Sequence, residues 1–382
     1  MSKNNISLKS IKEIKFACIE YSTKTGKIWR PTQERPNYLC DPETEIDPTS
    51  FGCWTSTLDG EHIPVNFLRR HQNPHTLAYK LGHKLDLILE KIQKKPIYHN
   101  LDYLKKFNVL LFLVHSFSIP LIADLIKRAK KVNPNAIYLG SIVSPLGILR
   151  ETWKKENEFY AFKTFANNCD FWINVNRTAE GYLNSFLKTK VVYFPQFYPF
   201  EFANQFYKPL SQKEKIILVA GETERPDNLA GQFIAIQIQK KHPEFLIQII
   251  QYPHSNIAPL VAARARFEII PFLKWQENLK RLARFFLMIN TDQTWTLGRL
   301  QADCAAVGTP SIGLNANNQL EFFPELSIPD IAGFEQGIEL AEKLICDPVF
   351  YQDIQQYASQ KLSENNYEKS KQRLLEIIKN RE

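Results

Sequence analysis

Asn290–Gly313 reads NTDQTWTLGRLQADCAAVGTPSIG, and the order of its residue types decides the fold class. The apolar run Phe286–Asn290 brings a buried strand to its first residue, and a polar loop follows. A helix is predicted over Gly298–Val307, stopped by Gly308 and Pro310. Ser311–Gly313 then starts another buried strand. Strand, loop, helix and strand, with both strands apolar throughout, is one unit of a parallel sheet covered by helices.

The same alternation runs outward in both directions. Upstream in this half lie strand Ile216–Ala220, helix Leu229–Lys241, strands Phe245–Gln251 and Phe267–Ile270, and helix Trp275–Phe285. Downstream come helix Phe334–Asp347 and an amphipathic helical tail from Val349. The first half has its own series: strands Ile14–Ile19, Phe107–Val114, Ala136–Gly140, Phe171–Val175 and Val191–Phe194. Helices Thr76–Lys94, Pro120–Lys131, Leu149–Asn167 and Thr178–Phe186 separate them. A proline-rich insertion at 21–70 reads as long loops with short strands at Phe51–Thr57 and His62–Val65.

The expected organisation is a first domain at 1–204, a linker at 205–213, a second domain at 214–360 and a C-terminal helix at 361–382. Both domains are read as Rossmann-like, doubly wound α/β units facing an interdomain cleft. Ligands of such sheets bind beyond the carboxyl ends of the strands. The loops after Ala220, Ile270 and Asn290, and after Ile19, Val114 and Gly140, are therefore the ones to examine.

Composition narrows the chemistry. Only 14 of 382 residues are glycine, about half the ~7% average, which argues against repeated glycine-rich phosphate loops. GxGxxG after a strand, GxxxxGK[ST], GxSxG and HExxH are all absent. Hydride transfer, nucleotide hydrolysis by a P-loop and serine hydrolysis are unsupported. Six cysteines without a CxxC pair fit reduced thiols. With an N-terminus lacking a signal-peptide core and no run long enough to span a membrane, they predict a cytoplasmic protein, with peripheral membrane contact left open.

Charge is unevenly spread. Residues 1–210 carry 29 Lys and Arg against 19 Asp and Glu, and residues 211–382 carry 19 against 21. The first half, at +10, suits an anionic acceptor or a membrane surface. No nucleic-acid motif accompanies it, and no nucleic acid is expected as partner.

The segment Asp303-Cys-Ala-Ala-Val-Gly-Thr-Pro310-Ser-Ile-Gly313 resembles the Glu-Ala-Met-Ala-x-Gly-x-Pro-Val-Ile signature of GT-B glycosyltransferases. The likeness is to the large retaining group 1 (family 4-like) enzymes. Lys215–Gly221 resembles that family's strand-and-glycine opening of the donor domain, and Phe267–Gln276 its strand before the nucleotide-base loop. Leu340–Tyr357, with Asp347-Pro348, resembles its penultimate helix. The resemblance covers about 215–380 by motif and the first half by architecture. It implies a GT-B fold and transfer of a sugar from a nucleoside-diphosphate sugar, with no metal or other cofactor.

Residue by residue, the second of the family's two glutamates falls on Asp303, implied to hold the ribose. The first falls on Trp295, which accepts no hydrogen bond from a hydroxyl. Asp292 or Thr294 then holds the sugar, or the sugar packs on Trp295, or transfer has been lost. Glu222 and Asp227 flank Arg225, the one cation of GETERPDN and the candidate to neutralise the leaving diphosphate beside Gly221. Lys274 and Arg299 are further cations on cleft-side loops. Thr296, Leu297 and Gly298 offer backbone N–H groups at a helix start, which suits a diphosphate. His115, after strand Phe107–Val114, is expected at the cleft to orient substrate hydroxyls. His71 and His75 lack a third ligand, and Trp29, Arg35, Trp54 and Glu61 lie in the insertion that is expected to wall the acceptor pocket. The alternatives are a non-catalytic GT-B scaffold or regulatory protein, and a GT-B sugar epimerase.

Overall fold

Six apolar residues in succession, Val109–Val114, belong in a strand covered on both faces. In the computed structural model all six are fully buried. The structure describes residues 14–20, 55, 58, 60–69, 89, 92, 96–115, 118–142, 156–195, 197–220, 228–250, 256–293, 295, 298–316 and 318–379. The expected helix Thr76–Lys94 and strand Phe51–Thr57 fall almost wholly outside them.

The described residues of Met1–Val175, Ala179–Phe197 and Tyr367–Glu382 form one unit. Those of Asn176–Thr178 and Tyr198–Asn366 form the other. In unit 1, β1 (Phe16–Glu20), β2 (Glu61–Pro64), β3 (Val109–Val114), β4 (Ile137–Ile142), β5 (Phe171–Asn174) and β6 (Lys190–Tyr193) make one sheet. All pairings are parallel, and the order is β2-β1-β3-β4-β5-β6. The sheet's direction of winding reverses between β1 and β3. Helices α1 (Ile119–Val132) and α2 (Glu156–Ala166) follow β3 and β4. The inner face of α2 sets Phe162 and Phe165 edge-on to Trp172 of β5, at 5.1 and 5.7 Å. Truncating a buried Trp of this kind costs about 3–5 kcal/mol.

Unit 2 repeats the plan with a different order. Its strands are β7 (Glu214–Val219), β8 (Leu246–Ile250), β9 (Phe267–Ile270), β10 (Phe285–Asn290), β11 (Ser311–Leu314) and β12 (Ser327–Ile328). They lie as β12-β11-β10-β7-β8-β9, again all parallel. Counted from β7, that is the 3-2-1-4-5-6 order of dinucleotide-binding sheets, reversing between β7 and β10. The longer helices are α3 (Asn228–Lys241), α4 (Trp275–Leu282), α5 (Arg299–Val307), α6 (Phe334–Cys346) and α7 (Pro348–Ser363). The two-residue β12 is too short to carry a period and escapes sequence reading.

Gly308 ends α5 at φ +71°, where a Cβ would sit 2.6 Å from the Tyr207 ring. Glycine is the residue this left-handed cap and this approach both require. Lys213 ties the same region together. Its ammonium donates to Ala283 O at 2.9 Å, Val307 O at 3.2 Å and Thr309 Oγ1 at 2.8 Å. Burial pushes the Lys213 pKa down to about 7.

The division between units falls at Phe197/Tyr198, earlier than the expected end of the first domain at 204. The reason is aromatic burial. Phe202 stacks on Trp275 at 5.7 Å, and the Tyr198 hydroxyl bonds Asp303, so both side chains are spent inside unit 2. The expected linker, 205–213, is itself structured, with 3-10 turns at Asn204–Phe206 and Leu210–Gln212. At the other end α8 (Tyr367–Lys379) begins after a break at Asn365 and Asn366, and it groups with unit 1. Phe197 and Tyr367 meet there edge-on at 6.3 Å.

Candidate functional site

In unit 2 the reversal point lies between β7 and β10, so the segments leaving those strands are where a sheet of this kind is expected to place a ligand. The segment after β7, with Gly221, Glu222, Arg225 and Asp227, is outside the described residues, as are Thr294, Thr296 and Leu297. The segment after β10 is described at Thr291, Asp292, Gln293, Trp295 and Gly298. Thr291 is fully buried, and its Oγ1 accepts the Gly231 N–H at 3.2 Å. The loop of β10 thereby satisfies a donor in the first turn of α3. Asp292, 5% exposed, donates its backbone N–H to Asn290 Oδ1 at 3.2 Å.

Two left-handed residues then shape the approach to α5. Trp295 has φ +50° and Gly298 φ +65°. Glycine takes this conformation at little cost, whereas tryptophan is held there against its preference, at a cost of order 1–2 kcal/mol. Non-glycine residues in this region concentrate at ligand sites. Arg299 opens the helix, half-buried. Gln301 is 1% exposed, and its Nε2 has no hydrogen-bond acceptor among the described residues. Sequence reasoning missed this donor, because a glutamine inside an apolar helix carries no positional signal.

Asp303 lies one turn beyond Arg299. It is 2% exposed, and its Oδ1 accepts from the Tyr198 hydroxyl at 2.7 Å and from Trp275 Nε1 at 2.9 Å. The carboxylate expected for the ribose is thus also an internal anchor joining α4, α5 and the start of unit 2. Lys274, exposed, is the N-cap of α4, immediately before Trp275. Among the described candidates, Trp295, Gly298, Arg299 and Asp303 therefore run along one loop and helix. Lys274 is linked to them through its neighbour.

In unit 1 the reversal point lies between β1 and β3, and His115 leaves β3 there. Its Nε2 is 2.9 Å from Glu20 Oε1 at the end of β1. The other oxygen of the same carboxylate is 2.9 Å from His62 Nε2 on β2. Burial raises the Glu20 pKa, but the hydrogen bonds from His115 and His62, with the pull of their charge, outweigh it and hold the carboxyl at about 2. The His115 backbone N–H donates to Ser118 Oγ, whose hydroxyl donates back to His115 O, both at 3.0 Å. Glu61 faces away from this group and accepts from the Tyr103 hydroxyl at 2.7 Å. Glu20 and His62 were invisible as site residues in sequence. The one available signal was a glutamate closing an otherwise apolar strand. His71, His75, Trp29, Arg35 and Trp54 lie outside the described residues.

Among the described residues no three His, Cys, Asp or Glu side chains are arranged to hold a metal ion. No described helix is long and apolar enough to cross a membrane.

Two wholly parallel six-stranded sheets, in these orders, have the two-domain α/β architecture of solved GT-B glycosyltransferases. Solved structures of that architecture match the chain. One is a UDP-forming α,α-trehalose-phosphate synthase from Burkholderia xenovorans, at 10% identity over 96% of this chain and 99% of that one, TM-score 0.56. A glycosyltransferase from Rickettsia africae ESF-5 matches at 15% identity over 96% and 98%, TM-score 0.56. The pneumococcal O-GlcNAc transferase GtfA, solved with UDP and GlcNAc, matches at 13% identity over 76% of this chain, TM-score 0.52. The chain spans 62% of that GtfA chain. At these identities the likeness is one of fold. No family model matches the chain, and no curated protein matches its sequence.

Proposed function

We propose that the chain transfers a sugar from a nucleoside-diphosphate sugar to a hydroxyl-bearing acceptor, with unit 2 holding the donor and unit 1 the acceptor. The observation that carries this reading is the start of α5. Left-handed Gly298 clears the approach to a nine-residue helix at the reversal point of a dinucleotide-type sheet. The buried, unaccepted Nε2 of Gln301 in its first turn supports an oxygen-rich ligand there.

The chemistry asks for this arrangement. As the acceptor oxygen bonds the anomeric carbon, the bond from that carbon to phosphate breaks and its electron pair passes to the diphosphate. Preorganised donors aimed at that growing charge are worth about 3–4 kcal/mol each. The backbone N–H groups of Thr296–Gly298, with Arg299, Lys274 and Arg225 beside Gly221, are assigned to it. Asp303 takes the ribose with its carboxylate. Trp295 packs on the donor sugar, where the related enzymes use a glutamate. His115 orients a substrate hydroxyl. The +10 balance of residues 1–210 supports an anionic acceptor, free or presented at a membrane surface.

Calorimetry with UDP tests the donor site. Wild type is expected to bind, and Gly298→Val, which puts a β-branched side chain at φ +65°, to lose affinity about 10-fold or more. Wild type that binds no nucleoside diphosphate, or Gly298→Val that binds as well as wild type, sinks the assignment.

A further inference from the structure

Strand register explains how three groups scattered over 95 residues become one. Cys18 pairs with His62 on one side and with Leu111 on the other, and Glu20 pairs with Pro64 and Leu113. Residues in register on parallel strands share a face, and alternate residues return to it. Glu20 is two beyond Cys18, and His115 two beyond Leu113. All three polar side chains therefore rise on the same face, at the reversal point of the sheet, where an α/β fold places its ligand.

The hydrogen bonds fix more than position. An ionised carboxylate only accepts, so both Nε2 atoms must carry hydrogen and donate. When neutral, each ring then has its lone pair on Nδ1. A single imidazole would leave the carboxylate free to turn, but His62, 8% exposed, occupies its second oxygen. We propose that Glu20 is a positioning residue for His115, clamped by His62, which holds the His115 ring as its Nε2–H tautomer so that it meets a substrate hydroxyl through Nδ1. The reference to a substrate hydroxyl rests on the transferase reading; the tautomer assignment does not.

Glu20→Gln is the informative change. The amide has one accepting oxygen and one donating nitrogen, so it cannot accept from both rings. One imidazole must then turn its lone pair to Nε2 and protonate Nδ1. The described groups that bear on this exchange are Cys18 and Glu20 on β1, Glu61 and His62 on β2, His115 after β3, Ser118 at the start of α1, and Tyr103, which is engaged with Glu61.

Nitrogen-15 NMR of histidine-labelled full chain at pH 8 is expected to show both His62 and His115 as Nε2–H in wild type. In Glu20→Gln the two rings should no longer match. With UDP-N-acetylglucosamine as probe donor, kcat for UDP release should fall about 10-fold or more, because misplacing a positioned group by about 1 Å can cost about 100-fold, while affinity for UDP is kept. An Nδ1–H tautomer of His115 in wild type overturns the proposal, and that spectrum decides it even if the variant fails to fold. An unchanged kcat in folded Glu20→Gln overturns it as well. Wild type that neither binds UDP nor releases it from the donor defeats the transferase reading instead, with the tautomer assignment still judged by its own spectrum.

Discussion

At the reversal point of unit 1, between β1 and β3, the described groups are ionisable side chains: one carboxylate shared by two imidazoles. At that of unit 2, between β7 and β10, the described geometry is made of backbone: left-handed Trp295 and Gly298, the opening turn of α5, and an N–H of α3 satisfied by Thr291. Both sheets are parallel and six-stranded, so the difference does not come from strand number or direction. It teaches that one fold can supply either proton-holding groups or a fixed array of donors, depending on what the strand ends carry. A diphosphate has its charge already and needs donors. A hydroxyl to be oriented or deprotonated needs a group with a proton to exchange.

The comparison breaks most readily at Asp303, the charged side chain on which the backbone site of unit 2 depends. Asp303→Ala is expected to destabilise the protein by about 3–5 kcal/mol, because the Tyr198 hydroxyl and Trp275 N–H are left buried without an acceptor. Asp303→Asn keeps an oxygen for both donors and should cost less than half of that in urea unfolding. If the two variants are equally unstable, charge rather than the shared oxygen holds α5. If Asp303→Asn is stable and binds UDP as wild type does, the ribose assignment fails.

A second contrast is in pH. In unit 1 Glu20 has its pKa lowered from 4.5 to about 2. Its contribution to stability is complete above pH 4.5 and is lost as pH falls toward 2. In unit 2 Lys213 has its pKa lowered from 10.5 to about 7. The unfolded chain then binds more protons between those values, so this group's contribution to stability is complete above pH 10.5 and disappears as pH falls to 7. Denaturation across pH should show Glu20→Gln weakening the acid dependence, which Glu214, Glu244 and Glu342 share, and Lys213→Met the alkaline one, each leaving the other unchanged. A single variant that removed both would mean the two windows do not belong to separate groups.

The smallest effect sharpens the role of Trp295. Trp295→Gly relieves the left-handed strain and should change stability by about 1 kcal/mol or less. It should weaken UDP-N-acetylglucosamine binding while leaving UDP binding unchanged. Equal loss for both ligands would place Trp295 against the nucleotide rather than the sugar.

Much of this is legible in the sequence. The runs at Val109–Val114 and Phe286–Asn290 could only be covered parallel strands, and Gly308-Thr309-Pro310 could only be a helix stop. These are local facts, set by side-chain polarity over a few residues and by backbone freedom at one. That is why the α/β class, and the stretch from Trp295 to Asp303, were readable. What escaped had a different cause. Tyr198 and Phe202 looked like the end of the first domain until their partners, Asp303 and Trp275, were found about 70–105 residues away in unit 2. Glu20, His62 and His115 are ordinary residues in three separate segments, joined only when β1 pairs with β2 on one side and β3 on the other. Sequence pattern by itself determined most of the strands and helices, because those depend on neighbours along the chain. Tertiary structure alone decided which carboxylate holds which imidazole, since a one-residue change of register would turn Glu20 to the opposite face.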